Sequence, residues 1–213
     1  MQARRDFLTM LAGLATNQAL KAFSGVVEGD RYVNSRLGLE FSKPPSWHFV
    51  SVVDFSAVRL EQKMSYSSDE IEEVFKRYEH PPSLVVTKYP VEHDELNPNF
   101  MLWVDPLDAD TKNLSMVEYL DLFLKSRRHV FADVWIDEKA TEISLPGVTE
   151  AAQARFRYNY QHVDGRCMDV ESHSILLLRG NTTHILHMIQ GMEAPARAEA
   201  EFRTLLKSIR YTT

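Results

Sequence analysis

The chain has 213 residues, one cysteine and a formal net charge of -6. A single cysteine excludes an internal disulfide, and the negative charge argues against nucleic acid as a partner, since phosphate binding needs a basic face. Hydrophobic residues make up 44% of the chain, which is enough for the core of one domain without a structural metal.

The N-terminal segment carries paired arginines ahead of a short apolar run, and a small-x-small cleavage site ends at Ser24. The run is too short to cross a bilayer. This pattern resembles the twin-arginine export signal of bacteria, which implies a signal segment over residues 1–24 and an exported, periplasmic or equivalent, domain over residues 25–213. The alternatives are a retained amphipathic helix, with a cytoplasmic protein, or an uncleaved anchor. The residues expected to form the signal are Arg4, Arg5, Phe7 and Leu8.

Hydrophobic periodicity predicts eight strands and three helices in the body. In chain order these are strands 32–41 and 47–53, a helix from Ser67, strands 84–89 and 100–104, a helix over 115–128, strands 134–145, 151–160, 168–178 and 182–190, and a closing helix from Pro195. Two of the helices begin with a capping box, formed by Ser67 with Glu70 and by Ser115 with Glu118.

The last two strands predict how the sheet is covered. Gly180 and Asn181 tolerate positive φ and suit a tight hairpin, in which paired residue numbers sum to 361. Both faces of this hairpin are then apolar. Both apolar faces must be buried, and a mostly antiparallel sheet between helices buries them. The sequence therefore predicts an α+β fold, a three-layer α/β/α sandwich.

The order of several segments resembles a known group of proteins. These segments are a strand over residues 38–41, the pair Pro44-Pro45, Trp47, the triplet Leu145-Pro146-Gly147, and Leu205-Leu206-Lys207-Ser208-Ile209 near the end. Together they resemble the PsbP/Mog1-like α-β-α sandwich family, over about residues 30–211. The resemblance implies an accessory or binding protein, in the exported bacterial branch of undefined function, and it transfers no catalytic residue.

Catalytic and metal chemistry has little support in the sequence. His184 and His187 are three apart on a strand, which places them on opposite faces, and no hydrolase or phosphate-binding motif is present. Cys167 is expected to be a spare thiol. We therefore expect no metal, no cofactor and no enzymatic activity; the alternative of a small hydrolase or metal-dependent enzyme rests only on the histidine count and Cys167.

A ligand groove is the remaining hypothesis. Trp103 and Trp135 flank the long helix in sequence, and Arg155 with Arg157 share one strand face, available to acidic neighbours or a ligand. Large aromatic residues on strands are more often part of the core. The sequence predicts an exported, non-enzymatic accessory or binding protein whose partner is a protein or a small ligand. The alternative is a cytosolic adaptor or chaperone of the same fold that holds a segment of a partner.

Overall fold

The computed structural model describes residues 25–51, 82–90, 96–107, 112–131, 133–161, 166–192 and 198–212. The predicted signal segment, the helix from Ser67 and the predicted helix start at Pro195 lie outside these residues. No helix among the described residues has both the length and the apolar character needed to span a membrane.

The described residues form strands and helices that are numbered here in chain order. The strands are β1 (Val26–Glu28), β2 (Arg31–Asn34), β3 (Leu39–Ser42), β4 (His48–Val50), β5 (Leu84–Thr87), β6 (Asn99–Pro106), β7 (Val134–Ile143), β8 (Glu150–Gln161), β9 (Cys167–Arg179), β10 (Thr182–Gly191) and β11 (Arg210–Tyr211). The helices are α1 (Met116–Val130) and α2 (Glu199–Ser208).

Two antiparallel sheets organise the described part of the chain. The larger has seven strands in the order β4-β5-β6-β10-β9-β8-β7, and the smaller has four in the order β1-β2-β3-β11. Antiparallel sheets combined with separate helices make this an α+β fold, as the sequence predicts. The smaller sheet was not expected from the sequence.

The first predicted strand is in fact a hairpin. Residues 32–41 divide into β2 and β3, because Gly38 has a φ of +57° and turns the chain back. The Asn34 side chain supports the turn, since its Oδ1 accepts hydrogen bonds from the backbone N–H groups of Arg36 and Leu37 at 3.2 and 3.1 Å. An Asn side chain that bonds nearby backbone competes with continued strand structure.

The β9-β10 hairpin has the predicted register. Arg179 pairs with Thr182, and the numbers of paired residues sum to 361 along the strands. Ile175 and Leu186 contribute to one buried cluster, whereas Leu176 and Ile185 contribute to another. The prediction that both faces of this hairpin are covered is confirmed.

Different elements cover the two faces of the larger sheet. Met116, Leu120 and Leu124 on α1 pack against the cluster that contains Leu176. On the opposite face, Phe202 and Leu205 of α2 share a cluster with buried residues of the smaller sheet. One face is thus covered by a helix, and the other by a helix together with a second sheet.

Helix α1 begins at the predicted capping box. Ser115 Oγ accepts the backbone N–H of Glu118 at 3.2 Å, and the Glu118 carboxylate accepts the backbone N–H of Ser115 at 2.8 Å. Both bonds satisfy N–H groups that have no partner inside the helix. The backbone N–H and the hydroxyl of Ser115, which both donate to the Glu118 carboxylate, lower the pKa of Glu118.

We expect Ser115→Ala to lower the free energy of unfolding by about 1 kcal/mol, because the cap bond and the reciprocal Glu118 bond are both weakened. Urea denaturation at neutral pH measures the change. Ser126→Ala is the matched control: Ser126 is exposed on α1, and its hydroxyl donates to the carbonyl of Phe123 within the helix. Equal effects of the two substitutions would contradict the assignment of the cap.

Candidate functional site

The two predicted arginines lie on the α2 side of the larger sheet, and both are engaged by carboxylates. Arg155 lies 3.3 Å from Glu199 of α2 and 3.7 Å from each of Glu138 and Glu171. These contacts attach α2 to β8 and β9. Of the two kinds of partner that the sequence offers for Arg155, acidic neighbours or a ligand, the structure shows acidic neighbours.

Arg157 occupies the next position on the same face. It makes a two-pronged ion pair with Asp137, with nitrogen–oxygen distances of 2.7 to 3.0 Å. The Asp137 hydrogen bonds, reinforced by the charge of Asp137, raise the pKa of Arg157. Asp137 reaches this position because β7 has a register shift between Ile136 and Glu138, which places two residues against one of β8.

We expect Arg155→Gln to lower the free energy of unfolding by about 1–3 kcal/mol, because it leaves the half-buried carboxylate of Glu171 without its cation. Arg157→Gln removes a more exposed pair and is expected to cost less than Arg155→Gln. Urea denaturation of both variants tests the difference. A larger cost for Arg157→Gln would show that the network around Arg155 does not hold α2 on the sheet.

The two predicted tryptophans lie on opposite faces of the larger sheet. Register places Trp103 in one row with Ile185 and Leu176, on the α1 side. It places Trp135 in one row with Arg157 and Glu171, on the α2 side. The structure therefore does not bring the two indoles together into one groove.

Trp103 belongs to a small apolar cluster. It packs against Val50, Val85 and Met101 and makes an edge contact with His187 at a ring separation of 6.1 Å. This is the core role that is usual for a large aromatic residue on a strand.

Trp135, by contrast, is the second residue of β7 and is 48% exposed. It lies beside a depression of about 300 Å³, which we call the Trp135 hollow. The lining residues are Arg128, Phe131, Asp133, Val134 and Trp135. Because successive strand residues point to opposite faces, Val134 and Trp135 reach the same hollow only at the edge of the sheet.

Local structure fixes the walls of the Trp135 hollow. Helix α1 ends at Val130, and the backbone N–H of Phe131 closes its last turn by donating to the carbonyl of Arg127. The ring of Phe131 stacks on Tyr158 with centroids 4.0 Å apart. The Asp133 carbonyl accepts the Asn159 N–H at 3.3 Å, which joins this segment to β8.

Three histidines lie inside the fold with hydrogen-bond partners. His187 Nδ1 lies 2.7 Å from Ser174 Oγ, and its Nε2 lies 3.1 Å from Ser172 Oγ. His184 Nδ1 lies 3.0 Å from the hydroxyl of Tyr211, on the opposite face as predicted. His173 Nε2 lies 3.2 Å from the side-chain oxygen of Gln153.

Burial sets the protonation of these rings. Desolvation, with smaller contributions from nearby arginines, lowers the pKa of His173 and of His184 to about 4 and that of His187 to about 3. The rings are neutral at pH 7, and their nitrogens bond to neighbouring side chains. In the described part of the chain, no three metal-ligating side chains lie close enough to share an ion.

A second cavity lies between α2 and the larger sheet, next to Arg155 and His173. Its volume is about 30 Å³, which admits water but not a small-molecule ligand, since such sites usually measure about 300–1,000 Å³. The cavity is a gap in the packing of the ion network rather than a binding site. Cys167 lies at the exposed start of β9.

The other polar residues of the Trp135 hollow were not identified from the sequence. Neither Arg128 nor Asp133 was predicted from the sequence as a site residue. The available signal was their position, since both lie within seven residues of Trp135 at the junction of a helix with a strand. Arg128 and Asp133 line the same depression because of where α1 ends, and the sequence did not specify that position.

Comparison with known proteins gives similarity in structure only. No protein-family model and no curated protein matches the chain. The cyanobacterial PsbP of Synechocystis is similar with a TM-score of 0.48 at 14% identity, over 89% of this chain and 96% of that one.

Two further solved structures have comparable scores. LpqN of Mycobacterium tuberculosis, which is involved in cell envelope biogenesis, gives a TM-score of 0.48 at 9% identity, over 89% of this chain and 90% of that one. A Pseudomonas aeruginosa protein of unknown function gives a TM-score of 0.47 at 13% identity, over 61% of this chain and 82% of that one. Membership of the PsbP/Mog1-like family remains a prediction at these levels.

Proposed function

We propose that this protein is an exported, non-enzymatic accessory or binding protein with a PsbP/Mog1-like three-layer sandwich, and that it binds its ligand at the Trp135 hollow. Export is supported by Arg4 and Arg5 ahead of the apolar run. Binding is supported by the contrast between Trp135, which is exposed beside a depression, and the buried histidines, which are held by neighbouring side chains.

The contrast in accessibility is the observation that carries the binding role. Catalysis needs an acid, a base or a nucleophile in contact with substrate. His184 is 1% exposed and His187 is 7% exposed, and both form part of the packing. A large exposed aromatic in a depression is instead typical of recognition.

Site-specific crosslinking in the native host tests binding at this place. A photoreactive residue at position 135 is expected to give a discrete adduct, and the same residue at position 122 is expected to give none. Leu122 is the matched control because it is 51% exposed on α1 but does not line the hollow. Equal adducts at both positions, or none at position 135, would refute binding at the hollow.

The export proposal has its own test. Residues 1–30 fused to a reporter that must fold before export are expected to carry it out of the cytoplasm, and replacing Arg4 and Arg5 by lysine is expected to stop this. Export that survives the replacement would exclude the twin-arginine route. The mass of the intact protein from its host separates this proposal from a cytosolic adaptor or chaperone, since a chain that begins near Gly25 has been processed and an unprocessed chain favours the adaptor.

A further inference from the structure

The Trp135 hollow has features that indicate the class of its ligand. We propose that it binds a saccharide, with the indole of Trp135 against the C–H face of one sugar ring and with Arg128 and Asp133 bonded to the hydroxyl groups at its rim. This inference rests on the proposed binding function and adds the ligand class to it.

The first observation is that the polar groups of the hollow are not used by the fold. Arg128 and Asp133 are exposed, and neither forms a salt bridge with another residue in the described ranges. No other ring or cation of the described residues stacks on Trp135. Arg155 and Arg157, which lie on the same sheet, are in contrast each paired with carboxylates.

The second observation is the balance of charge. The hollow contains one guanidinium and one carboxylate, and the neighbouring Arg157 is neutralised by Asp137. Phosphate-rich or polycationic ligands need an excess of one sign. A sugar hydroxyl donates and accepts hydrogen bonds, and it therefore suits a site that offers the five donors of Arg beside the acceptor oxygens of Asp.

The third observation is the exposed indole of Trp135 beside that polar rim. Trp135 lies next to Arg128 and Asp133 in a hollow whose surface is mostly polar, whereas Phe131 and Val134 pack against the α1 cluster. A pyranose ring has the matching character, since its C–H bonds form an apolar face and its hydroxyls surround it. An indole is the largest planar apolar surface that a side chain can offer to such a face.

The fourth observation disfavours an added peptide strand at this edge. β7 is the outer strand of the larger sheet, but its pairing shifts between Ile136 and Glu138 and again between Glu138 and Thr141. Strand addition uses a regular row of free N–H and C=O groups, and bulges interrupt that row. The volume of about 300 Å³ also lies at the lower end for small-ligand sites and suits one or two sugar rings.

Isothermal titration of the purified protein with cellotetraose, chitotetraose, maltotetraose and xylotetraose tests the proposal. We expect saturable binding of at least one of them, together with a change in indole fluorescence. Trp135→Leu is expected to weaken it at least about tenfold, whereas Trp135→Phe keeps a flat ring and is expected to lose less. Arg128→Ala and Asp133→Ala are each expected to weaken it several-fold.

The controls separate stacking from a general loss of structure. Trp103→Phe changes an indole on the opposite face and is expected to leave affinity unchanged, and the urea midpoint of each variant reports folding. Binding of no saccharide, equal affinity of Trp135→Leu and the original protein, or saturable binding of an oligolysine peptide in place of sugars would each overturn the proposal. A discrete crosslink at position 135 without saccharide binding would keep the binding function and reject only this ligand class.

Discussion

The free energy of unfolding is expected to fall by several kcal/mol as the pH is lowered from 7 to 4. In the unfolded chain, histidines take up protons near pH 6.5. In the folded protein, burial lowers the pKa of His184 to about 4 and that of His187 to about 3. Between these values the unfolded state binds more protons, so stability is fully present above about pH 6.5 and is lost as the pH falls.

The size of this effect follows from the lowered pKa values. One pKa unit corresponds to about 1.4 kcal/mol, so the lowered pKa values of His184 and His187 each account for about 3 kcal/mol by pH 4. His173, whose pKa is also lowered to about 4, adds a contribution similar to that of His184. Urea denaturation at pH 7, 5.5 and 4.5 measures the change.

Two variants identify the groups responsible for the acid sensitivity. His184→Gln removes one titrating ring and is expected to flatten the dependence of stability on pH, whatever it does to stability at pH 7. His48→Gln changes an exposed histidine and is expected to leave that dependence as it was. If His184→Gln leaves the slope unchanged, its burial does not drive the acid sensitivity.

The second large effect is expected at the contact between the two sheets. Phe41 of β3 is 2% exposed, and its ring lies 5.5 Å from that of Phe100 on β6 and 5.3 Å from that of Tyr32. Phe41→Ala is expected to lower the free energy of unfolding by about 3–5 kcal/mol, through lost burial and the cavity that remains. Urea denaturation monitored by circular dichroism measures it.

The matched control for Phe41→Ala is Val27→Ala. Val27 belongs to the same small sheet but is 48% exposed, and its truncation is expected to change stability by less than about 0.5 kcal/mol. Equal effects would mean that the smaller sheet does not depend on its packing against the larger one. A change in the denaturant slope of Phe41→Ala would indicate that the two sheets no longer unfold together.

Local signals predicted much of the fold. The Ser115–Glu118 box located the start of α1, and Gly180-Asn181 set the register of β9 and β10, because each depends on residues only a few positions apart. The small sheet was missed, because β11 pairs with β3 across about 170 residues and consists of only Arg210 and Tyr211. Two residues contain no periodicity that a sequence pattern can reveal.

The candidate site was predicted only in part. Trp135 was named as a candidate, but Trp103 was grouped with it because both flank α1 in sequence. Whether two strand residues share a face depends on the register of every strand between them. Three strands separate β6 from β7 in the larger sheet, and the sequence defined only one of those pairings. Arg155 and Arg157 were predicted to share a face of a single strand, and that prediction is confirmed. It does not depend on how the strand pairs with its neighbours.

The pairing of β11 with β3 has a consequence for the order of events in the cell. The hydrogen bonds of Arg210 and Tyr211 to the edge formed by Glu40 and Leu39 cannot form before residue 211 has been synthesised. The edge of β3 and the core beneath it stay open until then, and nascent chains with open edges are prone to associate. A stop codon before residue 209 is therefore expected to leave a chain that chaperones retain.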